Sequence, residues 1–168
     1  MRHALRTALL FTAAAAAPVA ALADQGLYGG FAVSQVEFKP DRGPSFNPTA
    51  ISGIVGKDIN QHFAAELRLS AGLGSDSHVE IDHTVGAYAR GILPLSREIA
   101  LYGLLGVTSS KVNFRGGGGS LSDTGLSYGV GADFGVGKTA TVGVEWLSLV
   151  RPSGYELNSL GVLAKFRF

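Results

Sequence analysis

The chain has no cysteine. Disulfides, thiolate nucleophiles and thiolate-bound zinc are therefore excluded, and the fold is held without a covalent cross-link. Charge is scarce, at 16% of residues. Neither sign dominates, so the basic face that nucleic acid requires is missing. Beyond the N-terminal segment no apolar run reaches the roughly 20 residues of a spanning helix. No histidine follows His83, which leaves the second half of the chain without an imidazole base.

What is present begins with an export signature. Arg2, His3 and Arg6 give a positive start, Ala8 to Ala17 is apolar, and Ala21-Leu22-Ala23 fits a small-x-small cleavage site. The apolar run is too short for a membrane anchor. We therefore expect residues 1–23 to be a signal peptide and residues 24–168 to form a single domain, mature from Asp24. Cleavage removes Arg2 and Arg6 and no acid. The 14 Lys+Arg drop by two against 13 Asp+Glu, so the net charge becomes −1.

The remainder alternates. From Leu157 to the terminal Phe168, the residues Leu160, Val162, Ala164, Phe166 and Phe168 share one phase. Ser159, Gly161, Lys165 and Arg167 share the other, with Leu163 as the apolar intruder. A period of two means a strand with one apolar and one polar face. Seven further segments follow the same rule: Leu27 to Phe38, Thr49 to Lys57, Phe63 to Leu73, Val79 to Leu93, Ile99 to Val107, Leu126 to Val136 and Ala140 to Ser148. In the first, the pattern slips near Gln35, which suggests a bulge. In the fourth, Ile81 and Val85 are expected on the apolar phase.

Connections alternate too. Asp58 to His62, Pro94 to Arg97 and Gly137 to Thr139 read as tight turns. Lys39 to Pro48, Gly74 to His78, Lys111 to Thr124 and Leu149 to Glu156 are mostly longer and richer in Gly, Pro and charge. Short turns on one rim and longer loops on the other are the asymmetry of outer-membrane barrels. A soluble barrel has the same alternation with its faces reversed. Three features favour the membrane: the polar phase is crowded with glycine, the chain closes on Phe166 and Phe168, and aromatics fall near strand ends, as interfacial girdles require.

With those strands, loops and ends, the chain resembles the small eight-stranded barrels of the outer-membrane protein A and opacity-protein group. The Leu-Tyr-Gly-Gly run at Leu27 to Gly30 is similar to that group's opening strand. The resemblance implies an all-β, eight-stranded antiparallel up-and-down transmembrane β-barrel in the bacterial outer membrane. It implies no cofactor, a monomer, and assembly partners in the barrel-assembly machinery and periplasmic chaperones. In such barrels the closing aromatic strand, here with Phe166 and Phe168, is the assembly signal. Members serve as surface antigens, adhesins, envelope stabilisers or small pores, and a minority modify lipid A.

The polar phase carries Glu66, Arg68, Arg90, Asp133, Glu145 and Lys165. Glu66 and Arg90 lie on neighbouring strands, as do Glu145 and Lys165. Charges in a narrow lumen must pair, so we expect an ion-pair network that plugs the barrel, with a narrow ion path as its rival. Lys39, Arg42, Lys111, Arg115 and Arg151 lie on the long loops beside Phe46, Phe114 and Tyr155, where lipopolysaccharide phosphates are in reach. Catalysis finds little support. His62, His78 and His83 match no metal motif, and lipid A deacylases of this barrel class need a late His–Ser pair. Gly131 to Thr139, GADFGVGKT, has Ala132 where a phosphate loop needs glycine. Gly116 to Gly119 reads as a flexible loop tip.

Overall fold

The computed structural model describes residues 26–39, 49–73, 79–114, 120–150 and 156–168. Eight strands follow in chain order: β1 (Leu27–Lys39), β2 (Thr49–Asn60), β3 (Phe63–Leu73), β4 (Val79–Pro94), β5 (Ile99–Phe114), β6 (Ser120–Val136), β7 (Ala140–Val150) and β8 (Glu156–Arg167). Each pairs antiparallel with its neighbours, and β1 pairs with β8, so the sheet closes and no edge is left bare. Among the described residues no helix is long and apolar enough to cross a membrane.

Local chemistry sets the turns. At Gln61–His62 the Asn60 side-chain oxygen Oδ1 accepts the backbone N–H groups of His62 and Phe63, at 2.8 and 2.9 Å. Between β4 and β5 the Ser96 hydroxyl accepts those of Glu98 and Ile99, at 3.2 and 3.0 Å. Gly137, at φ 77°, opens the turn into β7, a conformation that costs a side-chain-bearing residue. These three turns share a rim with the start of β1 and the end of β8. The seam between first and last strands is stitched there: the Phe168 N–H donates to the Leu27 carbonyl, the Asp58 N–H to the Gly26 carbonyl, and Arg167 Nε to Asp58 Oδ2 at 3.0 Å.

Parity sorts the side chains. Leu67, Leu105, Val130, Val144, Leu160 and Val162 point outward and are exposed, and Phe166 and Phe168 continue that row on β8. The opposite phase is buried: Tyr28, Ile54, Tyr88, Tyr102, Leu104 and Leu163 with the charged residues. The glycines of this phase have a specific job. A methyl group on Gly56 or Gly131 would collide with the rings of Tyr28 and Tyr102, and one on Gly86 or Gly106 with Tyr88. Three tyrosine rings thus lie over glycine gaps beside them in the same wall: Tyr28, Tyr88 and Tyr102 over their cross-strand partners Gly56, Gly106 and Gly131.

Several expectations need correction. The β1 register with β8 runs unbroken from Tyr28 to Lys39. There is no bulge near Gln35; the outward phase simply turns polar toward the long-loop rim. The register shifts lie elsewhere, at Asp58/Asn60 and Ile81/His83. The second sets Ile81 opposite Val112 and His83 opposite Lys111; the Ile81 side chain lies outside the described residues. Strands also outrun their patterns. β2 continues to Asn60, β5 to Phe114, and β6 starts at Ser120. Most of the expected 111–124 loop is therefore paired hairpin, held by backbone bonds that require no apolar alternation.

Candidate functional site

The lumen is the only enclosed polar region that the described strands create. β3 supplies Glu66 and Arg68, two residues apart and so on one face. Arg90 comes from β4, Asp133 from β6, Glu145 from β7 and Lys165 from β8. These six side chains join in one line of alternating sign. Lys165 Nζ donates to Asp133 Oδ2 at 2.7 Å, and Arg90 Nη2 donates to the same oxygen at 2.5 Å. Arg90 Nη1 reaches Glu66 Oε1 at 2.6 Å, Arg68 Nη2 reaches Glu66 Oε2 at 2.6 Å, and Arg68 Nη2 reaches Glu145 Oε2 at 2.8 Å. Arg68 Nη1 also donates to Glu145 Oε1.

Aromatic hydroxyls complete it. Tyr28 Oη donates to Glu66 Oε1 at 2.7 Å and Tyr102 Oη to Glu145 Oε2 at 2.9 Å. The Arg90 guanidinium lies 3.6 Å from the centre of the Tyr102 ring, a cation–π contact that offsets part of its desolvation. Three acids balance three bases, so the buried charge sums to zero. Such a network is costly to desolvate and costlier to break, because removing one member strands its partner.

Lys165 pairs differently from what strand adjacency suggests. Its ammonium sits on Asp133 of β6, not on Glu145 of the adjacent β7. Glu145 is taken by Arg68 from across the lumen, 77 positions away in sequence. Farther from the short-turn rim the polarity becomes neutral: Tyr88, Thr108 and Ser127 hydroxyls form a chain with 2.7 Å steps, and Ser52 and Ser70 pair at 2.7 Å. Among the described residues these hydroxyls are shown bonded to one another and to no histidine or carboxylate. Among the described residues no cluster of His, Asp and Glu is placed to hold a metal.

On the short-turn side a cavity of about 290 Å³ enters the barrel. Asp58 and Arg167 stand at its mouth, and Arg90, Asp133 and Lys165 lie at its inner end. The other rim carries the bases of the loops. Lys39 ends β1 opposite Glu156, and Lys111 lies in β5 opposite His83 and Ser122. Their side chains, and Arg42, Arg115 and Arg151 entirely, lie outside the described residues, as does the 1–23 segment. The GADFGVGKT stretch is strand, turn and strand.

The tyrosines of the network are what sequence reading missed. Tyr28 and Tyr102 are on the polar phase by parity, but nothing local announces which carboxylate a phenol will reach.

Comparison with known proteins places this geometry. Residues 7–168 match the family described as the outer membrane protein beta-barrel domain. Among curated proteins, none matches the chain in sequence. Neisserial surface protein A is similar in structure, with a TM-score of 0.70 at 14% identity, over 85% of this chain and 97% of that one. The attachment invasion locus protein Ail of Yersinia pestis is also similar, with a TM-score of 0.67 at 19% identity, over 86% of this chain and 99% of that one. Ail has also been solved in complex with the heparin analogue sucrose octasulfate, at a TM-score of 0.65 and 19% identity, over 86% of this chain and 99% of that one.

Proposed function

The chain belongs to the outer membrane protein beta-barrel domain family, and from that membership we propose a non-enzymatic envelope protein with a structural or surface-interaction role and a lumen closed by ion pairs. Its place is the bacterial outer membrane, spanned by β-strands. We further propose that residues 1–23 are cleaved on export. The protein is a monomer delivered by periplasmic chaperones and inserted by the barrel-assembly machinery, which reads Phe166 and Phe168.

One observation carries the closed-lumen reading. Six charged side chains cross an eight-stranded barrel in one continuous hydrogen-bonded line. The interior of such a barrel is only wide enough for side chains to fill. Planar-bilayer recording tests it: purified protein gives rare or very small openings, and steady large conductance overturns the reading. The cavity on the short-turn side favours a second reading, a narrow low-conductance pore that opens when the line breaks.

Among the described residues the lumen hydroxyls of Ser52, Ser70, Thr108 and Ser127 are shown bonded to one another or to Tyr88, and to no histidine or carboxylate base as a nucleophile would be, which supports the non-enzymatic reading. Lipid A mass spectra of cells with and without the protein should be identical; a protein-dependent acyl or sugar change refutes it. For the outer rim we propose that Lys39, Arg42, Lys111, Arg115 and Arg151 meet lipopolysaccharide phosphates, since bases recognise phosphate through charge-assisted hydrogen bonds. The structurally similar barrel Ail has been solved in complex with the heparin analogue sucrose octasulfate, a polyanion.

A further inference from the structure

The six charges share one line but not one environment. The Glu66 side chain is 0% exposed, and Arg90 beside it 2%. Asp133 keeps 15% exposure and lies, with Lys165 and Arg90, at the inner end of the 290 Å³ cavity on the short-turn side, the side that faces the periplasm in outer-membrane barrels. Glu66 accepts hydrogen bonds on both oxygens from Tyr28, Arg68 and Arg90, so its coordination is saturated. The cavity end is different. Arg90 Nε, a donor, and Asp133 Oδ1, an acceptor, are both buried without a hydrogen-bond partner among the described residues. They belong to two side chains already joined through Arg90 Nη2 and Asp133 Oδ2.

We propose that periplasmic water fills this cavity as far as Asp133 and Lys165 and stops short of Glu66. This rests on the closed-lumen reading and divides the plug into a wet periplasmic end and a dry centre. A buried water needs room and two to four polar partners. The cavity holds several times the ~30 Å³ share of one molecule, and the Asp133 carboxylate and Lys165 ammonium on its lining supply polar partners. Small ions follow the same route. Salt therefore screens the Lys165–Asp133 pair, while the bonds to Glu66, sealed from solvent, escape screening.

The cysteine-free chain allows a direct test. Thr141 lines the cavity, whereas Ser127, in the neutral part of the lumen, has 0% exposure. In lipid nanodiscs, Thr141→Cys should react with a small cationic methanethiosulfonate reagent, and Ser127→Cys should not. Independently, Lys165→Met leaves Asp133 facing water and should lower the urea midpoint far less than Arg68→Met, which leaves Glu66 and Glu145 short of a base in the dry part. Complete failure of Arg68→Met to fold is the extreme of the expected loss. An unreactive Thr141→Cys, or a Lys165→Met loss equal to that of Arg68→Met, overturns the proposal. Wild-type conductance keeps the two ideas apart, since low conductance with an unreactive Thr141→Cys removes the wet end and leaves the closed lumen standing.

Discussion

Replacing Glu66 with alanine cuts the ion line at its centre. The carboxylate accepts four hydrogen bonds: from Tyr28 Oη at 2.7 Å, Arg68 Nε at 3.0 Å, Arg68 Nη2 at 2.6 Å and Arg90 Nη1 at 2.6 Å. Its loss leaves a net buried charge of one base. Removing one partner from a buried pair costs about 3–5 kcal/mol. Arg68 keeps Glu145 and Arg90 keeps Asp133, which places the expected loss toward the lower end of that range. Glu66→Gln keeps the volume and one acceptor oxygen, and its loss should be smaller, about 1.5–3 kcal/mol, the scale of a hydrogen bond to a charged group. The sole tryptophan, Trp146, is on the outer wall at 36% exposure, so its fluorescence follows transfer between lipid and water. Urea unfolding in phospholipid vesicles, read by Trp146 emission and by heat-modifiable gel mobility, gives the free energies. A Glu66→Ala barrel within about 0.5 kcal/mol of wild type, the range of an ordinary surface change, would refute the reasoning.

Val144→Arg, on the outward row, should cost about 2–4 kcal/mol near mid-membrane, whereas Thr141→Val on the inward row should be mild; the opposite order, measured by the same unfolding, inverts the barrel. Gly131→Ala should destabilise by collision with Tyr102, while Gly91→Ala, whose methyl group meets nothing within 4 Å, should be neutral or stabilise by about 0.4–1 kcal/mol. Deleting Phe166 to Phe168 should block insertion in cells more than it weakens a barrel refolded in detergent, and normal cellular insertion of the truncated chain contradicts this. Glu145→Ala should make bilayer openings more frequent than in wild type, and an unchanged record sinks the plug.

Parity made the faces legible. Once Leu160, Val162 and Phe166 are set outward, Lys165 must point inward, and the same rule places Glu66, Arg68, Arg90, Asp133 and Glu145. Partnership was not legible. Lys165 and Glu145 lie on adjacent strands, yet strand stagger sets Lys165 against Asp133 and turns Glu145 toward Arg68 on the far wall. A sequence carries the phase of each strand but not the shear of the closed sheet. Gln35 misled for a related reason. Its row stays outward while its surroundings change from hydrocarbon to a polar zone, so the hydrophobic signal reverses without any change of backbone.

The ion line also constrains the order of folding. Glu66, Arg68 and Arg90 come from the first half of the chain, and Asp133, Glu145 and Lys165 from the second. Within the line the first half supplies one acid, Glu66, against two arginines, and Lys165 closes the line only from the final strand. A half-built sheet would therefore show uncompensated charges to the hydrocarbon, where each costs several kcal/mol. Stepwise threading of hairpins into the bilayer is thus disfavoured. The low-energy route brings the two halves together before the lumen face leaves water, which makes insertion and closure a single kinetic event with a long-range nucleus.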